Sequence, residues 1–364
     1  MTKAAELAKM GEVLTNSQIG GRRNILINGG MNVAQRSTSV SGIGSSAGYF
    51  TCDRWKVEIG STDGRFTMSQ TADGPNGISA NCLKLDCTTA DTSIAAAEYL
   101  FLANNFEGQD LQGIGKGLTG AKEVTVSFYV KANAAFNFVV EFHDRDNQRT
   151  NGRIFTTTTD WVRHEITFQA DEDDGSSPFD DDNAASARIN FWLHAGSTYT
   201  GGTLATNWAD NVQANRAAGI DSFFSSTDNN FFLTGVQVEV GSQATPFEQR
   251  SIGEELQLCK RYFHKTGGSA YCNIGTVTNY TSGAMLGPYK HPVEMRSAPS
   301  VTKSGNWALL GGDTTVHQTA VSSDSNTKVS EIGFSGGSGG TSGRSATLRF
   351  SNDANAYLHW DSEL

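Results

Sequence analysis

Proline is scarce in this 364-residue chain, with six residues, and cysteine is scarcer still, with five. The odd thiol count (Cys52, Cys82, Cys87, Cys259 and Cys272) argues against a disulfide framework. Cys82 and Cys87 lie five apart in one alternating pattern, so they face opposite ways and do not pair. No CxxC pair is present, so the usual spacing of a structural zinc site is missing. Charged residues make up only 18% of the chain, and acids outnumber bases 38 to 28, for a net charge of −10. That balance argues against nucleic acid and against a bulk anionic membrane surface as partners. No apolar run approaches the ~18 residues of a membrane helix. The opening "MTKAAELAKMGEVL" also lacks the unbroken apolar core of a signal peptide. The expectation is a soluble protein made in a cytoplasm, with no membrane insertion.

What is plentiful points to β structure. Glycine numbers 40, and Phe and Trp together supply 26 large rings to bury. Short strands joined by polar turns fit this mix. From Asn24 to Val240 the chain alternates repeatedly. Ile25 and Ile27 open it, followed by Val124–Val130, Phe136–Phe142, Val162–Phe168, Ile189–Leu193 and Val236–Val240. Period-two patterning buries one face of each strand, and eight or so such strands predict a jelly-roll sandwich. Residues 1–22 predict a short N-terminal helix, Lys3 to Leu14, capped by Thr2, with Leu7, Met10 and Leu14 on one stripe.

The stretch "SIGEELQLCKRYFHK" predicts a linking helix over 251–266. Ser251 and Glu254 fit a capping box. Ile252, Leu256, Cys259 and Phe263 form an apolar stripe. Lys260, Arg261 and Lys265 complement the C-terminal dipole, and Gly267-Gly268 is the stop. Beyond it, short patterns at 270–274, 293–301, 329–334, 346–350 and 356–360 predict a smaller C-terminal β-sandwich domain, with "SGGSGGTSGRS" as a loop. The expected organisation is thus a leader (1–22), a jelly roll (23–250), a linking helix (251–266) and a small β domain (267–364).

The segments "GRRNILINGGMNVAQRSTS", "YFTCDRW", "FFLTGVQVEVGSQATPFEQRSIGEELQLCKRYFHK" and "HPVEMRSAPSV" resemble a family of phage tail-fibre-like virion proteins. The resemblance runs from Gly21 to about Val301. The opening, with "VTVSFYVKA", "DWVRHEITF" and the last strand, also resembles the sandwich of carbohydrate-binding modules. In those modules the first and last strands lie together and structural calcium is common. The resemblance implies a homotrimeric virion protein, assembled in the host cytoplasm, that presents loops to a host cell-surface polysaccharide. Residues 1–22 would attach it to other tail or head proteins. The short leader and the lack of a coiled coil suit a short fibre, a tip or an adaptor-bound part.

The acidic run "DEDDGSSPFDDDN" (171–183) could offer calcium an oxygen cage from Asp171, Asp173, Asp180 and Asp182, although its Gly is misplaced for an EF-hand and no Glu closes it. A solvated acidic loop is the plainer reading, and no cofactor is required. The histidines form no HExxH, the glycine-rich run lacks the P-loop lysine, and no G-x-S-x-G elbow occurs. The chain is therefore read as non-enzymatic. Aromatic faces suit sugars. Trp55, Trp161 and Trp192 read as sandwich residues, leaving Tyr280, Tyr289 and Trp307 as the candidate receptor contacts. The expected function is host-surface recognition by glycan binding. The alternative is a structural virion component such as a head fibre, collar or adaptor.

Overall fold

Strands such as "VTVSFYVKA" place apolar side chains on every second residue, and these lie inside. Val124, Val126, Phe128 and Val130 are all buried in one core. The computed structural model describes Lys3 and residues 23–172, 177–305, 307–310, 320–335 and 341–364. Apart from Lys3, the expected leader helix lies outside the described residues. The chain divides into two compact units, one reaching Glu255 and including Leu364, the other Leu256–Glu363.

The first unit is an antiparallel sandwich. Its strands are β1 Ser39–Ile43, β2 Gly48–Tyr49, β3 Lys56–Gly60, β4 Arg65–Thr71, β5 Cys82–Thr89, β6 Tyr99–Glu107, β7 Val124–Ala132, β8 Asn137–Asp144, β9 Arg149–Thr156, β10 Val162–Phe168, β11 Ala185–Ala195, β12 Ala209–Asp210 and β13 Asn230–Val240. One sheet has the order β1-β4-β5-β13-β7-β10 and the other β12-β9-β8-β11-β6-β3-β2. The chain passes back and forth between the sheets, as a jelly roll requires. Facing rings fill the space between them. Phe191 meets Phe128 edge-on at 5.0 Å and lies 6.0 Å from Trp55. In β10 the expected inward set is only partly enclosed: Phe168 is buried, while Val162, His164 and Ile166 are half-buried. Among the described residues no helix is long and apolar enough to cross a membrane.

The opening "NILINGG" does run beside the last strand of this sandwich, but not as a strand. Ile25 N donates to Val238 O (2.9 Å) and Val236 N to Gly29 O (3.0 Å). Between these bonds, Asn24 Oδ1 accepts from Leu26 N and Val238 N, and Asn28 Oδ1 accepts from Val33 N. These amides take the backbone partners a regular ladder would use. The buried apolar residue is consequently Leu26, with Ile25 and Ile27 only half-buried. Gly29 is required here because a Cβ would stand 2.0 Å from Val236 O.

The only helix of more than one turn among the described residues is shorter than expected. A single turn, α1, covers Ser197–Thr200, and α2 covers Ile252–Lys260. Ser251 caps α2 as read, with its Oγ 3.2 Å from Glu254 N. The stripe is shifted, however. Within α2, Ile252 is 61% exposed and Leu256 half-buried, while Glu255 and Cys259 are enclosed; Tyr262 and the expected Phe263 are buried just beyond its end. Glu255 is buried because its carboxylate accepts from Asn28 N (2.5 Å) and pairs with Arg250 (3.4 Å). Phe263 and Lys265 belong to a strand, so the helix ends well before Gly267.

The second unit holds β14 Phe263–Gly267, β15 Asn273–Asn279, β16 Ala284–Lys290, β17 Ser300–Ser304, β18 Trp307–Leu310, β19 Ala320–Ser325, β20 Val329–Ser335, β21 Ser345–Phe350 and β22 Tyr357–Asp361. They form sheets of order β14-β22-β17 and β18-β21-β15-β16-β20-β19. The strand expected at 293–301 reduces to Ser300–Ser304, since Pro292 and Pro299 withhold ladder donors along "HPVEMRSAPSV". That expected at 270–274 starts only at Asn273, after Tyr271 at φ 61°. The glycine-rich run does join two strands, β20 and β21, although residues 336–340 lie outside the described set.

Replacing Phe191 by Ala should cost the first unit about 3–5 kcal/mol, measured by guanidinium unfolding. A loss below 1 kcal/mol would contradict its place among the Phe128 and Trp55 rings.

Candidate functional site

The register of the seven-stranded sheet determines which residues share the face turned away from the core. Residues next to core positions point the other way. Three rows cross that face. Glu58, Phe101, Trp192, Val139 and Ile154 make one, and Lys56, Ala103, Asn190, Glu141 and Gly152 the next. Asn105, Arg188, His143 and Thr150 make the third. A sheet's second face is usually polar and wet. This one carries aromatic rings and a fully buried carboxylate, Glu141.

The segment 196–220 accounts for that burial. Arg216 reaches down to Glu141 with Nε on Oε1 and Nη2 on Oε2, both at 2.8 Å. Trp192 Nε1 (2.9 Å) and Asn190 Nδ2 (2.7 Å) donate to Oε2, and Thr150 Oγ1 donates to Oε1. Burial alone would raise the Glu141 pKa, but the Arg216 charge and these bonds outweigh it, so the carboxyl is held well below its usual range. Arg216 also lies over Trp192, 4.9 Å from its centroid. Tyr199 packs on Trp192 at 5.4 Å and on Tyr99 at 5.5 Å. Gly152 leaves room for Leu204, whose Cδ1 would be 3.0 Å from a Cβ there. Half of the face is thereby roofed.

A strip along β3, β6 and β11 stays open. Tyr99, Lys56, Glu58 and Arg188 are all partly exposed, with Tyr199 at the edge of the roof. Lys56 pairs with Glu58 at 2.9 Å. Arg188 lies over Phe101, 5.0 Å from its centroid, across the small Ala103, and its Nε donates to His143 Nδ1 at 3.2 Å. Burial, reinforced by Arg216 and Arg188, pulls the His143 pKa down to about 3, so its imidazole is a neutral acceptor. Ring faces beside charged donors and acceptors are what a sugar needs: stacking for its C–H face and hydrogen bonds for its hydroxyls. None of these residues was read from sequence as a candidate binding contact. The available signal was the apolar run Phe191–Leu193 and the Val139 between Phe138 and Val140, which mark strands buried on both faces.

The sequence-derived candidates scatter. Asp171 is no open ligand: it is buried, 3.1 Å from Lys116 Nζ and 3.2 Å from Arg149 Nη2. Lys116 also holds buried Asp144 at 2.7 Å, so two cations neutralise two carboxylates there. Asp180 and Asp182 are exposed, and Asp182 Oδ1 caps Ala184 N. Asp173 lies outside the described residues. Among the described residues no three His, Cys, Asp or Glu side chains gather as a metal site.

Tyr280 is 68% exposed, in the turn between β15 and β16. Tyr289 is half-buried and stacks flat on Trp360, 4.1 Å between centroids. Trp307 is 1% exposed, with Nε1 on Ser304 O and its ring against Phe350 at 4.3 Å. Its expected receptor contact is corrected to a core role, since a strand with polar flanks still turns one large ring inward. Beside Tyr289, His264 Nε2 and His291 Nδ1 are hydrogen-bonded at 3.1 Å, and His291 Nε2 meets Ser330 Oγ at 2.9 Å.

Changing Arg216 to Met should destabilise the first unit by about 3–5 kcal/mol, because Glu141 is left charged and dry. Adding Glu141→Gln should recover part of that loss in the same denaturant titration. The second unit should weaken in acid. Burial, with His291 and Lys260 adding, lowers the His264 pKa to about 3, and burial lowers that of His291. The unfolded chain takes up these protons near pH 6.5, whereas folded His264 refuses its own until about 3. Stability is therefore complete above pH 6.5 and falls below it, by about 1.4 kcal/mol per pH unit for His264, with His291 acting in the same direction. Urea unfolding at pH 8 and pH 5 measures this, and equal midpoints would contradict it.

No family model matches the chain, and no curated protein matches it. Among solved structures it is similar to the enzymatically active domain of bacteriophage CBA120 tailspike protein 4, at 11% identity and TM-score 0.31. That match covers 60% of this chain and 21% of the tailspike chain, about a fifth of its length. A structure titled "CBM4 structure and function" matches at 10% identity over 59% of this chain and 99% of its own, TM-score 0.30. TmCBM61, in complex with β-1,4-galactotriose, matches at 11% identity over 60% and 99%, TM-score 0.30. At such TM-scores the likenesses carry no argument. The all-β sandwich rests on the strand order itself.

Proposed function

We propose that this chain is a non-catalytic, glycan-binding subunit of a phage virion fibre, acting as a homotrimer that recognises host-surface polysaccharide. The observation that carries the binding function is the open strip of Tyr99, Lys56, Glu58 and Arg188, set beside Tyr199 on a rigid sheet face. The virion role is supported by the resemblance of "NILINGG", "YFTCDRW" and the β13-to-α2 joint to tail-fibre-like proteins. Binding rather than cleavage is supported by Glu141. This carboxylate is occupied on both oxygens and held ionised, which suits structure and not proton transfer. Binding at the strip needs no cofactor. Trimerisation would multiply weak sugar contacts through avidity.

The alternative role, as a head fibre, collar or adaptor, draws on the roof itself, since segment 196–220 already occupies half of the aromatic face. Localising the protein on particles by electron microscopy separates the two roles.

The direct test is a host-polysaccharide array probed with purified protein. The native chain should bind, with a light-scattering mass three times that of one chain. Tyr99→Ala combined with Tyr199→Ala should weaken binding about tenfold or more, with unchanged far-UV circular dichroism. Absence of binding by an assembled native trimer would overturn the reading.

A further inference from the structure

We propose that the open strip selects an acidic saccharide, with the guanidinium of Arg188 receiving a sugar carboxylate. This inference rests on the reading that the strip binds glycan. It follows from the local charge count. Glu141 is consumed by Arg216 through two 2.8 Å bonds. Glu58 is held by Lys56 at 2.9 Å and reaches Arg188 only at 3.8 Å, beyond hydrogen-bond distance. Arg188 thus has only a long, shared ion pair, since Lys56 holds Glu58 more closely. Among the described residues neither its Nη1 nor its Nη2 makes a hydrogen bond.

Two contacts prevent the guanidinium from swinging over to Glu58. Its Nε is tied to His143 Nδ1 at 3.2 Å, and its plane lies over the Phe101 ring. The fork is held in place with two nitrogens unused, the geometry that suits a carboxylate. Its surroundings are too positive for comfort. Burial, then the nearby Arg216 with Arg145, draws the Arg188 pKa down to about 10 against the pull of Glu141 and Glu58. An incoming anion would relieve that strain. The net charge of −10 on the whole chain does not forbid it, because charges beyond the ~8 Å Debye length are largely screened at physiological salt. Tyr99, 5.8 Å from Phe101 and partly exposed, supplies the ring on which the same sugar would pack.

The test compares polygalacturonate, alginate and hyaluronate with their carboxyl-reduced, neutral counterparts in affinity electrophoresis at low and high salt. The native protein should bind an acidic polymer at least tenfold more tightly than its reduced partner, and this margin should shrink in about 0.5 M salt. Arg188→Gln should abolish the margin while leaving binding to the reduced polymer intact, and Arg188→Lys should keep part of it. Glu58→Gln should widen it, a gain that misfolding cannot imitate. Equal binding of acidic and reduced polymers, or an Arg188→Gln protein that still discriminates, overturns this inference and leaves glycan binding standing. Failure to bind any polymer, acidic or neutral, overturns both readings.

Discussion

The carboxylate of Glu141 is the constraint around which the sandwich is arranged. It sits mid-sheet on β8, with no solvent exposure. A lone ion there would cost several kcal/mol, so a cation must be delivered to it. Arg216 comes from 75 residues further along the chain and brings the segment 196–220 with it. Once pinned, that segment seals Trp192 and Val139 from water and leaves most of β8 and β11 buried on both faces. The roof stops where its residues stop. That edge leaves Tyr99, Lys56, Glu58 and Arg188 accessible beside a rigid floor.

Charge is handled in three ways within the first unit. Lys116, Arg149, Asp144 and Asp171 cancel one another inside. Glu141 and Arg216 cancel beneath the roof. Arg188 is left over at the border, oriented by a neutral imidazole and an aromatic ring. A scaffold that fixes a guanidinium in one position, with two of its nitrogens not hydrogen-bonded, lowers the entropic cost of binding its ligand. The second unit uses imidazoles similarly, as neutral partners in the His264–His291–Ser330 chain. Tyr271 and Tyr280 are its exposed large rings among the described residues, and there Tyr280 packs on no other ring.

The alternating strands could be read directly. Val124, Val126, Phe128 and Val130 point inward because side chains alternate whatever the partner strand is. The Ser251 cap was equally plain, since it depends on a hydroxyl and an amide three residues apart. The stripe of α2 was misplaced because Glu255 looks like a surface residue until Asn28 N is found against its carboxylate. Trp307 was assigned to a receptor surface because it flanks the polar stretch Lys303–Asn306, and a strand's neighbours do not reveal which side its large ring takes. Asp171 looked like a calcium ligand for the same kind of reason: its cations, Lys116 and Arg149, lie 55 and 22 positions away by residue number.

The sequence alone determined the class of structure: antiparallel β layers, a capped linking helix, free thiols, and Cys82 and Cys87 on opposite faces of β5. Those features depend on residues within a few positions of each other, where backbone geometry decides. The tertiary structure decided which charges are spent and which is left. Glu141 meets Arg216, Lys116 meets Asp144, and Arg188 meets only the neutral His143 and a shared Glu58. Coulomb attraction and burial act through space, so the balance of a site built from five separate segments exists only after the chain has folded.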